Sequence, residues 1–82
     1  MLFYVYVLES QLNAKRYIGS TSKDPQIRLK EHNNGSNKWT KANKPFVLIH
    51  VEEFSNQKEA LQREIFLKSG KGRDYLEHHI PR

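Results

Sequence analysis

Apolar residues gather in four stretches of the chain, and their spacing changes from one stretch to the next. Residues 3–9, Phe-Tyr-Val-Tyr-Val-Leu-Glu, are dense in aromatic and β-branched side chains, the composition of a strand. Residues 10–14 are a polar connection of hairpin length, and residues 15–19 read as a short second strand returning antiparallel to the first. Asp24 can then cap a helix whose first position is Pro25, where a missing N–H costs nothing. That helix is expected to reach Asn33, with Asn34-Gly35 as a left-handed stop. Residues 35–44 show no apolar periodicity and are expected to form a loop around Trp39. Residues 45–54 carry apolar side chains on both parities (Phe46 and Leu48; Val47, Ile49 and Val51), which predicts a third strand at the centre of the sheet. Asn56 and Glu59 have capping-box spacing, and Ala60, Leu61, Ile65 and Lys68 follow at helical intervals. Residues 69–72, Ser-Gly-Lys-Gly, interrupt that helix, and residues 73–79 are expected as a short final one.

The order β-β-α-β-α-α describes an α+β domain around a small three-stranded antiparallel sheet flanked by helices. With 82 residues there is room for one domain and one core, so residues 1–82 are read as a single unit. No cysteine is present, which excludes disulfides, thiolate metal sites and a cysteine nucleophile. No apolar run approaches the roughly 20 residues needed to cross a bilayer. The hydrophobic start lacks preceding basic residues and a cleavage site, so the protein is expected to be cytoplasmic, without a membrane partner.

Charge changes the picture. Lys and Arg number 14 against 9 Asp and Glu, a net charge of +5. Residues 10–50 alone hold eight basic residues against Asp24 and Glu31, an excess of six, while residues 51–66 lean acidic. A basic half of this kind suits a polyanion, through counterion release, although a solvated surface would look the same.

Against this background a few side chains carry chemistry. Tyr6 and Tyr17 lie on paired strands, and a register setting them opposite each other would aim both phenols at one spot. An aromatic pair bracing the sheet is the competing reading. Gly19, at the end of the second strand, leaves space for close approach, or is an ordinary turn glycine. Arg28 and His32 are four residues apart and share a helix face, where they could clamp a phosphate and exchange a proton. Glu64 intrudes into the stripe of Ala60, Leu61 and Leu67, a costly place for a carboxylate unless it is paired or holds a metal ion. One carboxylate suits magnesium, and an i, i+4 pair with Lys68 is the plain alternative. His50 reads as a satisfied core histidine, and His78-His79 would diverge on a helix.

Together these pieces resemble the GIY-YIG nuclease superfamily in its small stand-alone form, related to the catalytic domain of excision-repair incision subunits. The matching runs are Tyr4-Val-Tyr-Val-Leu8, Lys15-Arg-Tyr-Ile-Gly-Ser-Thr21, Arg28-Leu-Lys-Glu-His-Asn33, Ala60-Leu-Gln-Arg-Glu64 and Lys68-Ser-Gly-Lys-Gly-Arg73. The resemblance implies a GIY-YIG-like fold and hydrolysis of a DNA phosphodiester by a tyrosine-activated water. It implies catalytic roles for Tyr6, Tyr17, Arg28, His32 and Glu64, with Glu64 the one protein ligand of a Mg2+ or Mn2+ ion. The likeness departs at Val5, where the first motif has glycine, and in having no asparagine after Asn56.

The function expected is a divalent-metal-dependent DNA endonuclease of low sequence specificity, in repair, recombination or processing, within a larger complex in some settings. Lys15, Arg16, Lys38, Trp39, Lys41, Lys44, Lys68, Lys71 and Arg73 are expected to contact nucleic acid. Two alternatives stay open: a non-catalytic nucleic-acid-binding or partner-docking module on the same scaffold, and a protein that binds RNA.

Overall fold

The computed structural model describes all of residues 1–82. Its elements are β1 (Phe3–Ser10), β2 (Arg16–Thr21), α1 (Pro25–Asn33), α2 (Lys38–Asn43), β3 (Phe46–Phe54), α3 (Gln57–Lys68) and α4 (Gly70–His79). The three strands form one antiparallel sheet in the order β2-β1-β3. The α+β architecture expected from the sequence is therefore present, with one helix more.

Three expectations need correction. β1, and not β3, is the central strand, and its Val5, Tyr6, Val7 and Leu8 are all 1% exposed or less. β3 lies at an edge, where Val51 is 41% exposed. Its apolar residues on both parities reflect an irregular pairing between Val7 and Leu8 of β1, across which the register shifts. The presumed loop contains α2, whose first turn is closed by reciprocal bonds between Asn37 and Thr40. The final helix begins at Gly70: Ser69 ends α3 and caps α4, accepting from the Gly72 N–H. The expected caps are present elsewhere, since Asp24 accepts from the Gln26 N–H and Asn56 from the Glu59 N–H.

The two faces of the sheet bury separate cores. On one, Val5, Val7 and Ile18 pack against Ala60, Leu67 and Leu76 of α3 and α4. On the other, Tyr6, Leu8 and Phe46 gather with Tyr17, Leu29 and Leu48 beside α1. Asn33 ties the end of α1 to β3, accepting from the Phe46 N–H at 2.7 Å and donating to its carbonyl at 3.2 Å. No helix is long and apolar enough to cross a membrane.

Candidate active site

β1 and β2 present their chemistry on the α1 face of the sheet. The hairpin closes with Ser10 N–H donating to the Lys15 carbonyl at 2.8 Å, which sets Tyr6 opposite Gly19 and Tyr17 opposite Leu8. The directly opposed tyrosine pair is thus corrected: the phenols are diagonal neighbours on one face, with ring centroids 6.4 Å apart. This register also explains the glycine. A Cβ on Gly19 would lie 2.5 Å from the Tyr6 hydroxyl oxygen and 2.6 Å from its Cζ, so only glycine lets the phenol lie there.

Tyr6 is 1% exposed, and its hydroxyl meets His32 Nε2 at 3.0 Å. His32 Nδ1 in turn meets the Ser36 hydroxyl at 3.2 Å. His32 is fully buried, so Arg28 and His32 do not present one shared face: α1 commits its histidine to the core and keeps its arginine at the rim. Tyr17 is half-buried, with its ring centroid 4.6 Å from that of His32. Arg28 Nη1 donates to Glu31 Oε1 at 2.5 Å, and Glu31 also accepts from Lys23 Nζ at 3.0 Å.

Glu64 comes from α3. Leu61 and Ile65 are exposed, so the apolar stripe that Glu64 was expected to interrupt is not the buried face of α3, which is Ala60 and Leu67. Glu64 instead borders that face, its side chain 18% exposed, accepting from the Ser20 hydroxyl at 2.6 Å and from Lys68 Nζ at 2.7 Å. The helical Glu64–Lys68 pair is therefore real. Ser20 and Ser36 were not singled out from the sequence; Ser20 directly follows Gly19, and that adjacency was the available signal.

Electrostatics link these groups. Burial pushes the Tyr6 phenol up and outweighs the nearby Arg28 guanidinium, while the Glu64 charge adds to the rise. His32 is held below the ordinary histidine value by burial and then by Arg28, which keeps it neutral near pH 7. For Glu64, burial alone would raise the carboxyl, but the bonds from Lys68 and Ser20 prevail and hold it below its ordinary range.

No three His, Cys, Asp or Glu residues are grouped to hold a metal by themselves. The Glu64 carboxylate and Ser20 hydroxyl are hard oxygen donors, a set that fits a magnesium-like ion keeping most of its waters. Lys68, whose side chain is half exposed, occupies one carboxylate oxygen and is weakly enough held to yield.

The remaining basic residues spread over several elements. Lys38 and Lys41 on α2, Lys44 beyond it, and Lys15, Lys71 and Arg73 are exposed. Arg16 is the exception: its side chain is 5% exposed and paired to Glu9, so it is a buried group and no open phosphate contact. Trp39 packs against Phe46 and Tyr17, each at 5.6 Å between ring centroids, and remains partly exposed. Two cavities, of about 370 and 80 Å³, are lined by other residues than Tyr6, Tyr17, Arg28, His32 and Glu64.

The GIY-YIG catalytic domain matches residues 2–76. A UPF0213 protein of Staphylococcus haemolyticus is 37% identical over 67 residues, spanning 80% of this chain and 79% of that protein. A UPF0213 protein of Clostridium perfringens is 38% identical over 66 residues, spanning 79% of this chain and 69% of its own. The solution NMR structure of the UPF0213 protein BH0048 from Bacillus halodurans is similar at a TM-score of 0.58 and 31% identity, over 99% of this chain and 87% of that one.

Proposed function

The chain belongs to the GIY-YIG catalytic domain family, and from that premise we propose that it is a divalent-cation-dependent endonuclease hydrolysing DNA phosphodiester bonds with little sequence preference. Its fold is of the nuclease type, and GIY-YIG domains act on DNA. A role in repair, recombination or nucleic-acid processing follows from the same proposal. The observation that carries it is convergence on one phenol: the Tyr6 hydroxyl meets neutral His32 at 3.0 Å and feels the charges of both Arg28 and Glu64.

In this reading Arg28 turns from Glu31 to a non-bridging phosphoryl oxygen, exchanging one charge-assisted pair for another. Tyr17, the less buried phenol, orients and helps to deprotonate the attacking water. Tyr6 keeps its proton and, with His32 and Ser36, stiffens the platform beneath. Glu64 and Ser20 would hold Mg2+ or Mn2+, which when bound supplies Lewis-acid stabilisation of the phosphoryl oxygens.

A second reading, a nucleic-acid-binding module that does not cut, is favoured by one observation: Arg28 and Glu64 are both already paired within the chain, to Glu31 and Lys68. Incubation with supercoiled plasmid separates the two. Nicking with Mg2+ or Mn2+ that stops in a chelator supports the endonuclease; retention of DNA with no nicking in either metal supports the binding module.

A further inference from the structure

A cavity lies off the outer edge of β2, next to the candidate active site but outside it. It measures about 370 Å³, a size that holds a small organic ligand. Its walls combine three chemistries: apolar surface from Ile18 and Leu76, an aromatic from Trp39, and positive charge from Lys15, Arg16 and Arg73. Its one carboxylate, Glu77, pairs with Arg82 at 3.0 Å and so presents little net repulsion to an anion.

Two of these cations are free. Lys15 and Arg73 are exposed and take part in none of the ion pairs. Arg16 is built into the wall, with a side chain 5% exposed. Its Nε donates to Glu9 Oε2 at 3.0 Å and its Nη2 to the Ile80 carbonyl, whereas Nη1 is buried and has no acceptor. Nη1 is closed off from the cavity, so Arg16 contributes its positive charge through the wall and not a direct contact, and direct contact with an anion falls to Lys15 and Arg73. Trp39 is fixed nearby, stacked on Phe46, its carbonyl accepting from Asn43 Nδ2 at 2.7 Å. An anchored, partly open aromatic beside a cluster of cations suits a planar ring that carries a phosphate.

We propose that this cavity is a binding site for a nucleoside monophosphate unit, its base against Trp39 and its phosphate between Lys15 and Arg73, with the buried Arg16 charge in the wall behind them. The unit can be a free nucleotide or the 5′-phosphorylated end of a strand, since both offer the same chemistry. Along β2 the two sites interleave: Arg16 and Ile18 line the cavity, while Tyr17 and Gly19 belong to the catalytic face. Tyr17 also touches both, its ring near His32 on one side and Trp39 on the other. A strand end held in the cavity would therefore lead its following phosphates toward Arg28. That use as an end anchor rests on the nuclease reading; the binding itself does not.

Trp39 is the chain's only tryptophan, so its fluorescence reports the cavity directly. Deoxyadenosine 5′-monophosphate, titrated in a chelator so that no cleavage intervenes, should change the emission saturably. Deoxyadenosine and inorganic phosphate should each bind at least about tenfold more weakly, because each lacks one half of the match. Arg73→Ala should weaken the nucleotide by about tenfold with its unfolding midpoint unchanged, and Arg73→Lys should recover part of the loss. A 5′-phosphorylated oligonucleotide binding more tightly than both the free nucleotide and its 5′-hydroxyl counterpart would identify a strand end as the source; equal or better binding of the free nucleotide would identify a small-molecule ligand. Either result supports the site. No saturable change at millimolar nucleotide, or Arg73→Ala binding as well as the parent, would overturn it. A chain that binds nucleotide but cuts no plasmid would sink the nuclease reading alone.

Discussion

Gly19 is the residue on which the site's geometry turns. Its missing side chain is filled by the Tyr6 phenol, so Gly19→Ala forces a buried aromatic to move. The cost should be about 1–3 kcal/mol in urea unfolding, the range for overpacking a well-filled core. An unchanged unfolding midpoint would mean that Tyr6 does not lie over that glycine. His32 makes a second test, through pH. Its folded pKa lies below the unfolded value near 6.5, so its contribution is fully present above about pH 6.5. As pH falls the unfolded chain takes up the proton first, and stability declines until the folded pKa is passed. His32→Gln should flatten this slope below about pH 6.5, whereas a slope identical to the parent's would place His32 in solvent. At this scale the sequence offered candidate side chains for chemistry, but not their partners. The burial of His32 is not legible because helical spacing says nothing about which face is covered, and that of Arg16, expected to contact nucleic acid, is not legible because it depends on the C-terminal residues folding over β2.

At the scale of elements, strand and helix identities were legible wherever a cap or a β-rich run marked them. The central strand was misplaced because β1 and β3 are both apolar on both parities, and only pairing order distinguishes them. α2 escaped because one short turn of polar residues, closed by Asn37 and Thr40, has no apolar period to detect. Gly70 and Gly72 read as a break, yet they form the first turn of α4. A Cβ on Gly72 would fall on the Phe66 carbonyl and the Leu67 Cα, whereas one on Gly70 would meet nothing within 4 Å. The pair makes an internal control. Gly72→Ala should cost more than about 2 kcal/mol by prising α4 from α3, and Gly70→Ala should be neutral or stabilise by up to about 1 kcal/mol. Equal effects in denaturant titrations would contradict the close α3–α4 junction.

Across the whole molecule, the net charge of +5 is spread unevenly, and the exposed Lys38, Lys41 and Lys44 lie on and just after α2, beside Trp39. If those three and one further cation each meet a phosphate, DNA affinity should fall with salt at a log–log slope of about −4. Replacing the three lysines by alanine should reduce that slope by about 3, and a slope unaffected by them would move the nucleic-acid surface elsewhere. The family match spanning residues 2–76 was legible from order and spacing, while the self-paired state of the site, Arg28 on Glu31 and Glu64 on Lys68, was visible only in three dimensions. The most direct measurement is the single-turnover cleavage rate of DNA by the parent and by Glu64→Ala, with DNA binding followed in parallel. The account predicts a rate lower by at least about a hundredfold with binding retained, the scale of losing one electrostatic contributor to a transition state. Cleavage by Glu64→Ala at the parent rate would contradict it.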